Sequence, residues 1–229
     1  MRTFLINMLK FTRTYNMAKK LQNKYNLLIG EGHGHSLLLK LIKQKKKFSR
    51  SGLRFLEIGA SRENIFGQGS TKLIAEFCEN NQINFTSVDA DKKNVENIKN
   101  DLSNFKHFKI IYDTGENFSK VNKDKLDILY LDAFDIETPN IPTERIKFYK
   151  ETFNKEITNH ASAEMHKDVI VNLLNTLNKN CLIVFDDTFI INEEFFGKGQ
   201  SAIPILLKQG FKIIGKNKNS VALERVINE

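Results

Sequence analysis

The sequence predicts an α/β fold: a Rossmann-like, doubly wound, mainly parallel sheet of seven strands that ends in an antiparallel hairpin. Three observations support this prediction. A short, mainly apolar run at residues 55–58 is followed by glycines and a helical pattern, which lead to a second apolar run ending at Asp89. Apolar and helical patterns then alternate along the rest of the chain. Near the end, two apolar runs at residues 211–214 and 221–226 are separated by a polar turn, as in a hairpin.

The first strand, turn and helix form the unit that usually binds a nucleoside-containing cofactor. Gly59, Gly67 and Gly69 are predicted to let the backbone approach a ligand at positive φ. Their spacing departs from the G-x-G-x-x-G pattern of dinucleotide sites, which disfavours NAD. Glu57 and Asp89, near the tips of neighbouring strands, suit a cofactor that carries an amino group and a ribose. The alternative is that Glu57 caps a helix and the glycines only form turns.

The remaining elements alternate in the order that a parallel sheet covered on both faces requires. Further strands are predicted at residues 83–88, 108–112, 126–131 and 181–185. Helices are predicted at residues 73–77, 95–102, 144–153, 169–177 and 202–209.

Acidic residues stand at or near the ends of five predicted strands. They are Glu57, Asp89, Asp113, Asp132 and Asp186. In open α/β sheets ligands bind outside the carboxyl ends of the strands, so we expect these acids to share one site. The turn that starts at Asp113 and Thr114 is predicted to bind an adenine amino group.

Five motifs, in this order and spacing, carry a resemblance to a known family. They are Glu57-Ile-Gly59, Gly67-Gln-Gly-Ser-Thr71, Val88-Asp-Ala-Asp91, Asp127-Ile-Leu-Tyr-Leu-Asp132 and Leu182-Ile-Val-Phe-Asp-Asp187. The chain resembles class I S-adenosylmethionine-dependent methyltransferases over residues 53–226, most closely the metal-dependent O-methyltransferase branch that includes catechol and macrolide-sugar enzymes. One departure is the insertion of residues 62–66 inside the glycine loop.

The resemblance implies S-adenosylmethionine as the cofactor and a hydroxyl of a small molecule or a sugar as the methyl acceptor. The cofactor-binding residues that we predict are Glu57, Gly59, Ala60, Ser61, Gly67, Gly69, Ser70, Asp89, Asp113, Thr114 and Asp132.

Asp132, Asp186 and Asp187 are predicted to bind Mg²⁺. Three carboxylates from two adjacent strand ends supply the oxygen ligands that Mg²⁺ prefers. A bound dication would lower the pKa of the acceptor hydroxyl, and in the resembled enzymes the matching positions ligate the metal. The alternative is a metal-free enzyme in which Asp187 caps the next element.

Residues 133–167 form an insertion that is predicted to build the acceptor pocket. His160 or His166 within it could act as the general base, because imidazole titrates near neutral pH. His166 is the better candidate, although it could instead start a helix. The predicted catalytic residues are therefore Asp132, His166 and Asp187.

The basic charge of the chain is concentrated at its beginning. Residues 1–54 contain 13 Lys and Arg residues and one acid, so the remainder has a small negative balance. Only seven of the 35 basic residues are Arg, which disfavours nucleic-acid recognition. We divide the chain into a basic helical segment, residues 1–50, and a methyltransferase domain, residues 51–229.

An amphipathic helix predicted within residues 1–26 could cover the domain as a lid, lie on a membrane surface or serve as a targeting presequence. His33 and His35 follow it in a glycine-rich loop, either as an exposed turn or as residues that reach into the site.

The composition is typical of a cytoplasmic protein. Cys78 and Cys181 are far apart, which favours free thiols, and no apolar run approaches the length of a membrane span. Homo-oligomerisation stays open. Two other functions also remain: a nucleic-acid or protein methyltransferase docked through the basic segment, and a non-catalytic subunit that binds S-adenosylmethionine. Against the first, no Asp-Pro-Pro-Tyr or Asn-Pro-Pro-Tyr motif follows the fourth strand.

Overall fold

The computed structural model describes residues 33–48, 50–62, 69–139 and 141–225, and it confirms the predicted α/β fold. A seven-stranded sheet has the order β3-β2-β1-β4-β5-β9-β8. The strands are β1 (Arg54–Ile58), β2 (Asn84–Asp89), β3 (Phe108–Tyr112), β4 (Leu126–Leu131), β5 (Leu177–Phe185), β8 (Phe211–Lys216) and β9 (Val221–Arg225). Strands β1 to β5 are parallel, whereas β9 runs antiparallel to both β5 and β8, as predicted for the closing hairpin.

Seven α-helices lie within the described part of the chain. They are α1 (Gly34–Gln44), α2 (Ser70–Asn80), α3 (Lys92–Asp101), α4 (Gly115–Val121), α5 (Thr143–Phe153), α6 (Asn159–Leu173) and α7 (Ile203–Lys208). None of the helices found among these described residues is long and apolar enough to cross a membrane.

The central strands are apolar on both faces because helices cover both sides of the sheet. Alternate residues of a strand point to opposite faces, so Phe55 of β1 packs into one core cluster and Leu56 into the other. The first cluster also contains Leu38 and Ile42 of α1, both fully buried. Helix α1 is thus integral to the core of the domain. The helix predicted within residues 1–26 lies outside the described residues.

A short hairpin that the sequence did not predict follows β5. It consists of β6 (Thr188–Ile191) and β7 (Glu194–Gly197), paired antiparallel. Its two turn residues, Asn192 and Glu193, both have positive φ, which matches the twist of a tight hairpin. The hairpin brings the chain at Gly197 back beside Asp187, at the carboxyl end of β5.

Candidate functional site

A cleft runs along the carboxyl ends of β1 to β4, where ligands bind in open α/β sheets. Six of the predicted cofactor residues line it: Gly59, Ala60, Asp89, Asp113, Thr114 and Asp132. The opposite wall is aromatic and comes mainly from α5 and the loop after β4, with Phe134, Phe148, Tyr149 and Phe153. We call this the cofactor cleft.

Asp89 fixes the two loops at the centre of the cofactor cleft. Its Oδ2 accepts a hydrogen bond from the Ala60 amide at 2.9 Å, and its Oδ1 accepts one from the Asp91 amide at 2.7 Å. Each carboxylate oxygen can accept a second bond, so a pair of hydroxyls could still be held. Burial raises the pKa of Asp89 to about 6.

Gly59 is required where the chain turns over the end of β4. Its φ is +93°, and a Cβ there would lie 2.4 Å from the Cα of Ala133. The prediction of positive φ is therefore confirmed at this position. It is wrong at Gly69, whose φ is −78° and where a Cβ would have no neighbour within 4 Å among the described residues. Gly67 lies outside the described residues.

Glu57 does not line the cofactor cleft, contrary to the prediction. The side chain is fully buried, and its Oε2 accepts hydrogen bonds from Thr71 Oγ1 at 2.9 Å and Ser87 Oγ at 2.5 Å. Burial raises the pKa of Glu57 to about 8. Its role in this structure is to join β1, β2 and the start of α2 beneath the site.

The raised pKa of Glu57 predicts a pH-dependent stability. The folded state binds this proton more tightly than the unfolded chain, whose Glu pKa is about 4.3, so stability should fall as pH rises between these two values. We expect wild type to lose on the order of 3 kcal/mol from pH 5 to pH 8 relative to Glu57→Gln, which cannot titrate. Urea unfolding of both proteins across this range measures the difference. Parallel curves would contradict the assignment.

A second pocket adjoins the cofactor cleft and shares Ala60, Arg62 and Asp132 with it. Its other lining residues are His33, His35, Ser61, Ser70, Asp135, Asp186, Asp187 and Lys198. Ser61 and Ser70, predicted to bind the cofactor, lie here rather than in the cofactor cleft. Four carboxylates face two permanent cations, so the pocket is acidic.

The three predicted metal ligands line this second pocket but do not converge on one point. The ammonium group of Lys198 donates to Asp132 Oδ1 at 2.6 Å and to the Asp132 carbonyl oxygen at 3.1 Å, and it pairs with Asp187 Oδ2 at 3.0 Å. Asp186 is engaged elsewhere: Oδ1 accepts from the amides of Gly34 and Asp187, and Oδ2 accepts from the Tyr130 hydroxyl at 2.7 Å.

The predicted Mg²⁺ site is therefore not supported, because a lysine side chain lies between two of the carboxylates and both oxygens of the third already accept hydrogen bonds from the protein. Within the described ranges, no group of three or more His, Cys, Asp or Glu side chains could hold a metal ion. Burial would lower the pKa of Lys198, but Asp132 and Asp187 raise it well above its usual value. For Asp132, burial raises the pKa and Lys198 opposes that rise.

His166 lines neither the cofactor cleft nor the second pocket. The prediction that it acts as the general base is therefore wrong, because its ring cannot reach the acceptor. The imidazole is fully buried on α6, and its Nδ1 is 2.7 Å from the Ser162 carbonyl oxygen. Burial lowers the pKa of His166 to about 3, which keeps the ring neutral. His160, the other candidate, is exposed.

His33 and His35 line the second pocket. This agrees with the alternative that the two histidines reach into the site. Their rings stack with centroids 5.6 Å apart at the start of α1. Gly34 between them donates its amide to Asp186, and a Cβ on Gly34 would lie 2.9 Å from Tyr130 Cε2. The glycine therefore allows close packing against β4 and β5, and it places both imidazoles at the pocket.

A salt-bridge cluster that the sequence did not indicate links the glycine loop to α5. Asp135 accepts from Arg62 Nη2 at 2.6 Å and from Arg145 Nε at 2.8 Å. Its amide donates to the Tyr149 hydroxyl at 2.7 Å. These contacts hold α5 against the cofactor cleft, so the predicted insertion forms a wall of that cleft.

Comparisons with known proteins support the fold. No protein-family model and no curated protein matches the chain significantly. A Clostridium thermocellum protein assigned as an rRNA methylase is similar in structure, with 13% identity, a TM-score of 0.52 and coverage of 82% of this chain and 97% of that one. NSun6 of Pyrococcus horikoshii, solved with SFG, is similar with 16% identity and a TM-score of 0.50, covering 77% of this chain and 48% of that one.

Identities this low show a shared fold alone. The chain has the Rossmann-like fold found in methyltransferases, with the strand order and closing hairpin described above. It spans about half the length of the Pyrococcus protein.

Proposed function

We propose that this chain is an S-adenosylmethionine-dependent O-methyltransferase that acts on a hydroxyl group of a small molecule or a sugar. The observation that carries the proposal is the junction of two pockets at Asp132. A cleft suited to a nucleoside lies on one side of this residue, and a small acidic pocket lies on the other. A methyl donor and its acceptor could meet there.

The chemistry of the cofactor cleft supports S-adenosylmethionine. Asp89, at the end of β2, has free lone pairs for the two ribose hydroxyls. Asp113 lines the cleft beside Thr114, and its Oδ1 accepts from the Thr114 amide. Its Oδ2 accepts no bond from the described part of the chain, so it is available for an adenine amino group. An acidic cleft repels phosphate, so a cofactor without phosphate suits it better than NAD does.

The second pocket supports a hydroxyl acceptor. Carboxylates accept hydrogen bonds from hydroxyl groups. Among the described residues, Asp132 Oδ2 has only a long contact of 3.4 Å with the Tyr130 hydroxyl, whose proton is donated to Asp186. We assign Asp132 as the general base, with Asp187 as the second carboxylate in reach. The acceptor oxygen bonds to the methyl carbon as the carbon–sulfur bond breaks. Its proton passes to the carboxylate, and S-adenosylhomocysteine leaves.

Mg²⁺ does not enter this proposal, because the carboxylates of the second pocket do not fit it. Transfer of a methyl group from a sulfonium needs mainly alignment, with the reacting atoms brought to about 3–3.5 Å. A carboxylate base and fixed walls can supply both the proton acceptor and the alignment.

A nucleic-acid acceptor is the second candidate. The basic excess of residues 1–54 would favour it. The four carboxylates around the reaction centre count against a phosphate backbone there, although an extruded base could still enter.

The acceptor class is tested by methyl transfer from S-adenosylmethionine labelled in its methyl group. The protein is incubated with a panel of catechols and sugars and, separately, with ribosomal RNA. We expect label in the small-molecule fraction, and less of it with Asp187→Asn than with the exposed control Asp101→Asn. Label in RNA alone would favour the second candidate. Binding of S-adenosylhomocysteine without any transfer would favour a non-catalytic subunit.

A further inference from the structure

We propose that Lys198 is a resident cation that takes the place of a divalent metal in the second pocket and positions the carboxylates of Asp132 and Asp187. The inference builds on the proposed function, in which these two carboxylates meet the acceptor. The test below measures cation binding and stability and not methyl transfer. The inference about Lys198 and the proposed function can therefore fail independently of each other.

The ammonium group of Lys198 is buried and surrounded by acceptor oxygens. The Lys198 side chain is only 3% exposed, and an ammonium has three N–H donors. Three oxygens lie within reach: Oδ1 and the carbonyl oxygen of Asp132, at 2.6 and 3.1 Å, and Oδ2 of Asp187, at 3.0 Å. Each of the three N–H donors of the buried ammonium thus has an acceptor oxygen, as a bound metal ion would have ligands.

The backbone also places this side chain beside Asp187. The β6–β7 hairpin returns at Gly197, where φ is +79° and a Cβ would lie 2.0 Å from the Asp187 carbonyl oxygen. The Lys198 amide then donates to that same oxygen at 3.1 Å. Next in the chain, the Gly199 amide donates to Thr188 Oγ1 at 2.9 Å. Backbone and side chain of Lys198 are thus both fixed to Asp187.

The charges of Asp132 and Asp187 also require a cation between them. Two carboxylates that flank one buried point repel each other unless a positive charge lies between them. A divalent metal would supply that charge and would also polarise the acceptor hydroxyl. A saturated ammonium supplies the charge without binding the acceptor. Activation of the hydroxyl is then left to a carboxylate, and Lys198 acts as a positioning residue.

The test replaces Lys198 with methionine, an unbranched side chain one atom shorter that carries no charge. Unfolding temperatures are measured with EDTA and with millimolar Mn²⁺. The wild type should respond to neither. Lys198→Met should unfold roughly 4 to 8 °C lower, because the carboxylates of Asp132 and Asp187, which are 25% and 34% exposed, lose the cation between them. Mn²⁺ should recover part of that loss, and so should the double variant Lys198→Met/Asp187→Asn.

Lys155→Met is the control, since Lys155 pairs with the single carboxylate of Glu116, which lines the cofactor cleft and not the second pocket. It should show no response to Mn²⁺. The proposal is overturned if Mn²⁺ raises the unfolding temperature of the wild type and Asp187→Asn abolishes that rise. It is also overturned if neither Mn²⁺ nor the second substitution recovers Lys198→Met. Should the single variant not fold, recovery of folding in the double variant supports the proposal, and failure of both contradicts it.

Discussion

Replacing Asp89 with alanine is expected to weaken the binding of S-adenosylhomocysteine about 100-fold. The loss comes from two ribose hydroxyl contacts to one carboxylate, each worth about 1.5 kcal/mol or more for a charged acceptor. The substitution also removes the two bonds that fix the amides of Ala60 and Asp91. Isothermal titration calorimetry of both proteins measures the change.

Asp101→Ala serves as the control for this experiment, because Asp101 is an exposed acid at the end of the neighbouring α3. Its affinity should equal that of the wild type. An Asp89→Ala protein with an unchanged circular dichroism spectrum and unchanged affinity would remove the ribose role from Asp89.

Asp132→Asn is expected to lower the rate of methyl transfer about 10²- to 10⁴-fold, the usual contribution of a general base. Asparagine keeps the shape of the side chain but cannot take the proton from the acceptor. Affinity for S-adenosylhomocysteine should change far less than the rate, since Asp132 meets the cofactor only at the junction of the two pockets. The rate is followed with the acceptor identified by the labelling experiment.

The pH profile separates this role from a structural one. Burial raises the pKa of Asp132, so the wild-type rate should fall as pH drops through a value above that of an ordinary aspartate. Asp132→Asn should lose this acidic limb. If it keeps the limb and Asp187→Asn loses it, Asp187 is the base.

The strands of the seven-stranded sheet, including its closing hairpin, were predictable because local apolar patterning marks them. The positions of the acids at the strand ends were less predictable. Glu57 and Asp89 show the reason. In the parallel register Glu57 lies opposite Ser87, two residues before Asp89. Glu57 therefore stays inside the sheet, under α2, while Asp89 emerges at the strand end. A shift of this size is set by pairing between strands, which one sequence does not reveal.

The sequence around His166 contains a pattern that indicates its buried position in a helix. His166 is followed at spacings of three, four and seven by Val169, Ile170 and Leu173, all fully buried. This spacing is the core-facing stripe of a helix. Thr158 caps the same helix eight residues earlier, by accepting a bond from the Ala161 amide, so His166 lies within the helix rather than at its start.

No comparable sequence pattern indicated that Lys198 lies at the second pocket. It follows Asp187 by eleven residues and reaches the pocket only because the β6–β7 hairpin folds back there. The pairing of Asp135 with Arg62 and Arg145 is long-range in the same way. The cytoplasmic location stays a prediction from the sequence, and the alternatives for residues 1–26 and for homo-oligomerisation stay open.

The proposed function depends on binding of S-adenosylmethionine in the cofactor cleft. Calorimetric titration of the wild type with S-adenosylhomocysteine and with NAD tests this claim most directly. We predict that S-adenosylhomocysteine binds with one site per chain and raises the unfolding temperature by mass action, whereas NAD does neither. Binding of NAD in preference to S-adenosylhomocysteine, or no binding of S-adenosylhomocysteine to the folded protein, would contradict the claim.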